Sequence, residues 1–209
     1  MSFGRLAFTP LVKKLQELYG SRAQYERMEK SSASEDRLTE FEKEVLAGRD
    51  TFYWATTGVT GWPYVQHRGG PRGFLKLVDD RTLAFADYRG NRQYISTGNL
   101  AANDRASLFL MDYAHRARLK VYAHVETLAL DDDPALTELV TVPDYPAKLE
   151  RIFRLRLQTF DWNCPQHITP RFTEQEVAEA VAPLRDRLAQ LKTENAELRA
   201  RLAKLGHSQ

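Results

Sequence analysis

The chain has 209 residues, 43% of them hydrophobic, with 30 basic against 28 acidic side chains and a formal charge of +2. That length suffices for one domain with a real core plus appendages, and so even a charge balance gives no field that calls for nucleic acid or a membrane surface, so neither is expected as a partner. A single cysteine excludes an internal disulfide framework, no apolar run approaches transmembrane length, and Met1–Leu15 lacks the apolar core of a secretory signal, so a cytoplasmic location is expected.

Thr9 before Pro10 reads as an N-cap followed by proline at the first helical position, and Leu11, Leu15, Leu18 and Tyr19 form an apolar stripe that stops at Gly20. A second helix is predicted from Ser34, with Glu35 and Asp36 in its first turn, Leu38, Phe41 and Val45 on one face and Gly48 as terminator. The polar stretch Tyr25 to Ala33 between them is expected to be loose. Both helices are expected to cover faces of the β domain that follows, with a lid over its site as the alternative.

Strand formers then dominate. Phe52, Tyr53, Trp54 and Thr56 run up to Gly58 and Gly61, and Tyr64 and Val65 resume after Pro63. A third strand is predicted over Gly73 to Val78, Asp79 and Asp80 make a turn, and Thr82 to Ala86 returns, so the whole reads as an antiparallel meander. Further strands are predicted over Arg105 to Asp112, Arg116 to Leu130 and Lys148 to Asp161; the last sets Phe153, Leu155, Leu157 and Thr159 against Arg154, Arg156 and Gln158. Asp131, Asp132 and Asp133 read as a turn before Pro134, since adjacent carboxylates diverge, and no metal is expected. His67, His115 and His124 stand singly in or beside strands and are read as structural.

Two connections carry the chemistry. Arg68, Gly69, Gly70, Pro71, Arg72 and Gly73 set three glycines among arginines, which lets backbone approach a flat ligand closely. Arg89, Gly90, Asn91, Arg92 and Gln93 offer a glycine turn with amide and guanidinium donors suited to a phosphate oxyanion. Together, one strand apart, the two clusters resemble the pyridoxamine 5'-phosphate oxidase family of FMN-binding split barrels. The likeness runs on through Asn99, Asn103, Asp104 and Arg105, and covers the middle half of the chain. It implies a mainly β fold, an FMN-binding split β-barrel, with the cofactor at the interface of a homodimer. It also implies a ring-side strand of Arg72, Gly73, Phe74, Leu75 and Lys76, a turn beginning at Ala86 and Asp87, and a phosphate turn of Asn91, Arg92 and Gln93. Gln93 stands where the family usually has a second basic residue, and Arg118 where a glutamine faces the ring.

The stretch from Asp161 to His167 carries Trp162, the only cysteine, Cys164, and a histidine. One reading is core packing by a tryptophan beside an inert thiol. The other, which the resemblance implies, has the segment reach a partner's flavin, with Trp162 stacking and Asn163, Gln166 or His167 bonding to ring or ribityl oxygens. The family's closing arginine and histidine pattern is absent here, so the substrate is open beyond a small molecule. A Cys164 nucleophile is the weakest idea, since a lone thiol is more often inert.

From Thr173 the pattern changes. Thr173 and Glu176 form a capping box, after which Val181, Leu184, Leu188, Leu191, Asn195, Leu198, Leu202 and Leu205 recur at alternating steps of three and four. With Val181 at an a position, Asn195 is also an a residue, a register device in a parallel coiled coil. Pro183 would kink a continuous helix, so the seam is expected to begin there or later. The expected organisation is N-terminal helices over residues 1–50, the FMN-binding barrel over 51–172 and a helical arm over 173–209. The expected function is an FMN-dependent oxidoreductase, with no catalytic residue assigned. The alternatives are a flavin-binding or redox-sensing module without turnover, and a related barrel using deazaflavin or haem.

Overall fold

Seven antiparallel strands form one sheet in the computed structural model, which describes residues 2–31, 37–162 and 165–206. They are β1 (Thr51–Thr57), β2 (Pro63–Gly69), β3 (Lys76–Asp79), β4 (Thr82–Tyr88), β5 (Arg105–Asp112), β6 (Ala117–Leu128) and β7 (Leu149–Trp162), in the order β2-β1-β5-β6-β7-β4-β3. Three strands separate β1 from β4 in that order, yet the Trp54 ring on β1 lies 5.5 Å from the Phe85 ring on β4. Such proximity requires the sheet to roll up around its own apolar face, and the split barrel is the result. Its open side lies between β2 and β3, which the expected meander would have paired. The two hairpins β1-β2 and β3-β4 are each local, but they sit at opposite edges.

Alternation fills the barrel. On β5 the buried side chains are Ala106, Leu108, Leu110 and Asp112, and on β7 Phe153, Leu155, Leu157 and Thr159 repeat every second residue, as the sequence implies. Phe52, Trp54, Phe74, Phe85 and Phe153 make an aromatic centre in which Phe52 stacks on Phe74 at 5.6 Å and Trp54 meets Phe153 edge-on at 5.0 Å. β4 departs from alternation, being buried continuously from Leu83 to Asp87. Leu83 and Phe85 face the barrel, while Ala84 and Ala86 join a second cluster with Ile152, Leu136 and Val140. A strand covered on both faces carries no polar alternation for a sequence reading to find.

The helices are α1 (Phe3–Ala7), α2 (Pro10–Leu18), α3 (Arg22–Ser31), α4 (Glu40–Ala47), α5 (Ile95–Ala102), α6 (Pro134–Val140) and α7 (Glu174–Gly206). Thr9 caps α2, its hydroxyl accepting from Val12 N, with Pro10 at the first position. The apolar stripe of α2 does not cover a barrel face, however. Leu11, Leu15, Leu18 and Tyr19 are exposed and Gln16 is the buried residue, because Gln16 and the buried Glu29 share the Arg22 guanidinium, and Lys13 pairs with Glu29 at 2.9 Å. That same network holds residues 22–31 as a helix, where a loose segment was expected. α4 begins at Glu40, not at Ser34: Thr39 accepts at its side chain and Glu42 returns a bond to the Thr39 backbone N–H, a capping box that sets the start. Ser34, Glu35 and Asp36 lie outside the described residues. The third strand is also shorter than predicted. Phe74 N bonds Pro71 O in a turn, and only from Lys76 does the backbone pair with β4.

The chain divides into two compact units, Met1–Ile168 and Thr169–Gln209. The second is dominated by α7, whose capping box forms as predicted, Thr173 N donating to Glu176 Oε2 at 2.8 Å and Glu176 N to Thr173 Oγ1 at 3.1 Å. α7 runs unbroken through Pro183. Among the described residues, no helix is long and apolar enough to cross a membrane.

Candidate functional site

A cavity of about 280 Å³ opens where β2, the end of β4, the turn that follows and the start of α5 meet. Its floor is an ion-pair bridge. Asp87, the last fully buried residue of β4, holds Arg68 Nη1 of β2 at 2.5 Å and Arg151 Nε of β7 at 3.3 Å. The Arg68 guanidinium also lies over the Trp54, Phe153 and Phe85 rings at 4.9, 5.4 and 5.8 Å, so the cation sits in an aromatic box and crosses the open side of the barrel to β4. The β4-β7 register shifts between Asp87 and Tyr88, a bulge that turns the chain out of the sheet at the mouth of the cavity.

The wall is the turn over residues 89–94. The Asn91 side chain accepts from Gln93 N at 3.2 Å, and Arg92 and Tyr94 both take left-handed backbone, with φ of 61° and 54°. Non-glycine residues hold that conformation only where neighbours over-determine it. Here the Tyr94 hydroxyl accepts from Arg92 Nε at 3.1 Å and donates to Glu150 Oε2 at 3.1 Å, while the Arg151 guanidinium covers the Tyr94 ring at 4.8 Å. Glu150 is shared further, by Arg151 Nη2 at 3.1 Å and Arg89 Nε at 3.5 Å. The hydroxyl of Tyr94 raises the Arg92 pKa above its already high value, so that side chain stays cationic. α5 follows directly, with no side-chain cap on its N-terminus, and its Ser96 and Thr97 line the cavity. Ser96 Oγ donates to Gln66 Oε1 at 2.8 Å, which also accepts from Trp54 Nε1 at 3.3 Å, tying the helix start to the barrel centre.

Of the residues expected at a site, Phe74, Ala86, Asp87, Asn91 and Arg92 line this cavity. Gly73 is needed for its shape alone: it has φ of 75°, and a Cβ there would lie 3.1 Å from the Ala47 carbonyl oxygen. Gly70 is equally constrained, since a Cβ would come within 2.7 Å of Phe74 Cγ. Arg72 turns away and bonds Gly48 O at 3.1 Å, Leu75 is buried in the core, Lys76 opens β3 half-buried, and Gln93 is exposed in the turn. Arg118 lies on β6 with its guanidinium 5.9 Å from the Phe109 ring and its Nε buried without a hydrogen-bond partner. Trp162 ends β7 against α4, donating to Glu42 Oε1 at 2.8 Å with its ring 5.2 Å from Phe41. Gln166 and His167 form an exposed turn, and Asn163 and Cys164 lie outside the described residues. Gln66, Tyr94, Ser96, Thr97 and Glu150 line the cavity without having been singled out. The serine and threonine after the basic turn were a usable sign of a helix start. His67 also lines it, 2.5 Å from Thr51 Oγ1. Among the described residues no cluster of three or more histidine, cysteine, aspartate or glutamate side chains could hold a metal.

A family model for pyridoxamine 5'-phosphate oxidase matches residues 38–156, more than half of the chain and all of β1 to β6. The chain belongs to the pyridoxamine 5'-phosphate oxidase family. Several solved structures are similar to it. HupZ of Group A Streptococcus is 14% identical with a TM-score of 0.48, the alignment covering 65% of this chain and 99% of that one. A candidate pyridoxamine 5'-phosphate oxidase of Lactobacillus delbrueckii is 21% identical at 0.45, covering 62% and 97%. An FMN-binding protein of Syntrophomonas wolfei is 12% identical at 0.44, covering 60% and 90%. No curated protein matches significantly. The family match stops short of α7, and it ends inside β7, before the segment carrying Trp162.

The Glu42–Trp162 contact makes acid stability a test of how that segment is held. Burial would push the Glu42 carboxyl up, but hydrogen bonds from the Thr39 side chain, Trp162 and the Thr39 backbone outweigh it and hold the group below the ordinary value of 4.5. A depressed carboxylate contributes stability that is fully present above its unfolded value and is lost as pH falls through the folded one. The urea midpoint is therefore expected to drop as pH falls below 4.5, and to drop less steeply in Glu42→Gln. Parallel pH profiles for the two proteins would show that the contact is not what holds the segment.

Proposed function

We propose that the protein is an FMN-binding oxidoreductase acting on a small molecule, with the flavin phosphate held at the turn of residues 89–94. The observation that carries this reading is the pairing of Arg92, braced by Tyr94, with the uncapped first turn of α5 at the same cavity. A guanidinium beside free helix N–H groups is a phosphate site by composition and by dipole. Phe74 and Ala86, both nearly fully buried, give the cavity an apolar base, and Gly70 packs its backbone on the Phe74 side chain where a Cβ would clash. Two carboxylates at the cavity oppose an anion, and both are already engaged, Glu150 by Arg89, Arg151 and Tyr94 and Asp87 by Arg68 and Arg151.

At about 280 Å³ the cavity falls just under the roughly 300–1,000 Å³ of ordinary small-molecule sites. A homodimer with the cofactor at the subunit interface belongs to the proposal because the family resemblance implies it, the second copy supplying a further wall. Bound FMN supplies the hydride and electron chemistry itself. This chain's residues bind and orient it, so no protein acid or base is assigned. The purified protein is expected to be yellow and to release FMN, not FAD, on denaturation, since no dinucleotide fingerprint accompanies the phosphate turn. A colourless protein that FMN fails to reconstitute, or one carrying haem or a deazaflavin instead, would overturn the assignment.

A further inference from the structure

We propose that α7 pairs with α7 of a second copy as a parallel, in-register coiled coil. The flavin reading is not needed for this. Leu184, Leu188, Leu191, Leu198 and Leu202 lie on one narrow seam and are 44–71% exposed. A helix of 33 residues gains most of its stability from covering such a seam, not from intrinsic propensity. The stripe holds only a and d positions, the width that one partner helix covers and narrower than a globular face needs.

Asn195 decides what the occupant is. It interrupts the leucines at an a position and is exposed with them. A parallel in-register pair sets every core residue against its own copy, so Asn195 meets Asn195 of the partner subunit and the two amides satisfy each other. An antiparallel pair sets a against d and buries the amide on leucine, as would a foreign helix with an unbroken apolar seam, and a buried amide without a partner is costly. The flanks agree with self-pairing without driving it. In the parallel register Glu194 faces Arg199 of the partner subunit, an attraction, and Arg187 faces Lys192 of the partner subunit, a repulsion of similar size. Arg187 is also drawn to Glu194 on its own helix, 4.0 Å away, which weakens the repulsion. Core layers therefore set both the partner and the register.

Single cysteines in the full-length chain test this, with Cys164→Ser to remove the native thiol. Leu188→Cys at an a position should be linked rapidly into a covalent dimer on mild oxidation, because in-register a layers bring the two sulfurs together. Ala189→Cys, one residue on and facing outward, should link at least tenfold more slowly. Similar rates at both positions would mean helices that are close but unpaired, and no linkage at Leu188→Cys would mean an antiparallel pair or a seam covered by something else. Any of these overturns the proposal. A second variant needs no new thiol: Asn195→Val should raise the helical melting midpoint and admit species larger than a dimer, since the register device is gone. A lowered midpoint with only monomers would overturn it as well.

Discussion

Arg92→Ala is expected to weaken FMN by about ten- to a hundredfold while leaving riboflavin, which lacks the phosphate, nearly unchanged. The selectivity follows from position. The Arg92 side chain is exposed at the cavity and, among the described residues, bonds the Tyr94 hydroxyl of the same turn, so the barrel core is untouched when the guanidinium goes. Backbone strain must be separated from charge, because Arg92 sits at a φ of 61° and alanine inherits that strain. Arg92→Gly relieves it and also deletes the cation, so the two variants should lose FMN equally. Titrating each with both ligands by flavin fluorescence checks the prediction; equal losses for FMN and riboflavin would place Arg92 in folding and not at the phosphate.

Asp87→Ala should be far more damaging to the protein itself, costing about 3–5 kcal/mol, the range seen when one partner of a buried ion pair is removed. The carboxylate is buried and serves two guanidiniums, and Arg68 has nowhere else to turn: it lies among three aromatic rings with its Nε already lacking a partner. Asp87→Asn keeps the shape and leaves the same two cations underneutralised, so it should recover only part of the loss. Urea unfolding measures both. A loss of about 1 kcal/mol or less for Asp87→Ala would mean that water or Glu150 screens the two arginines, and that the bridge does not close the barrel's open side.

The strands were legible in the sequence wherever one face is wet. β5, β6 and β7 alternate, and on β7 the expected face of Phe153, Leu155 and Leu157 is the buried one. What failed was information the pattern does not hold. β4 is covered on both sides, α5 and α6 are each about two turns long, and the apolar face of α2 is turned outward by a polar network under Gln16. Tertiary pairing also escaped, since nothing in two well-formed hairpins says that they lie at opposite edges. The site was half legible for the same reason. Asn91 and Arg92 announce themselves by composition, whereas Gln66 and Glu150 reach the cavity only through the rolling of the sheet.

The position of β7 has a consequence for how the chain comes to fold. It is last in sequence but lies between β6 and β4, so the β3-β4 hairpin has no neighbour in the sheet until residues 149–162 exist. During synthesis β1, β2, β5 and β6 can assemble as one ribbon while β4, apolar on both faces, waits with an unpaired edge. Unpaired apolar edges are where nascent and refolding chains aggregate, and closure over so long a sequence separation is slow. The last strand is thus the keystone that converts two independent pieces into a barrel, and chains ending before Trp162 should collect in inclusion bodies while those ending after it stay in solution.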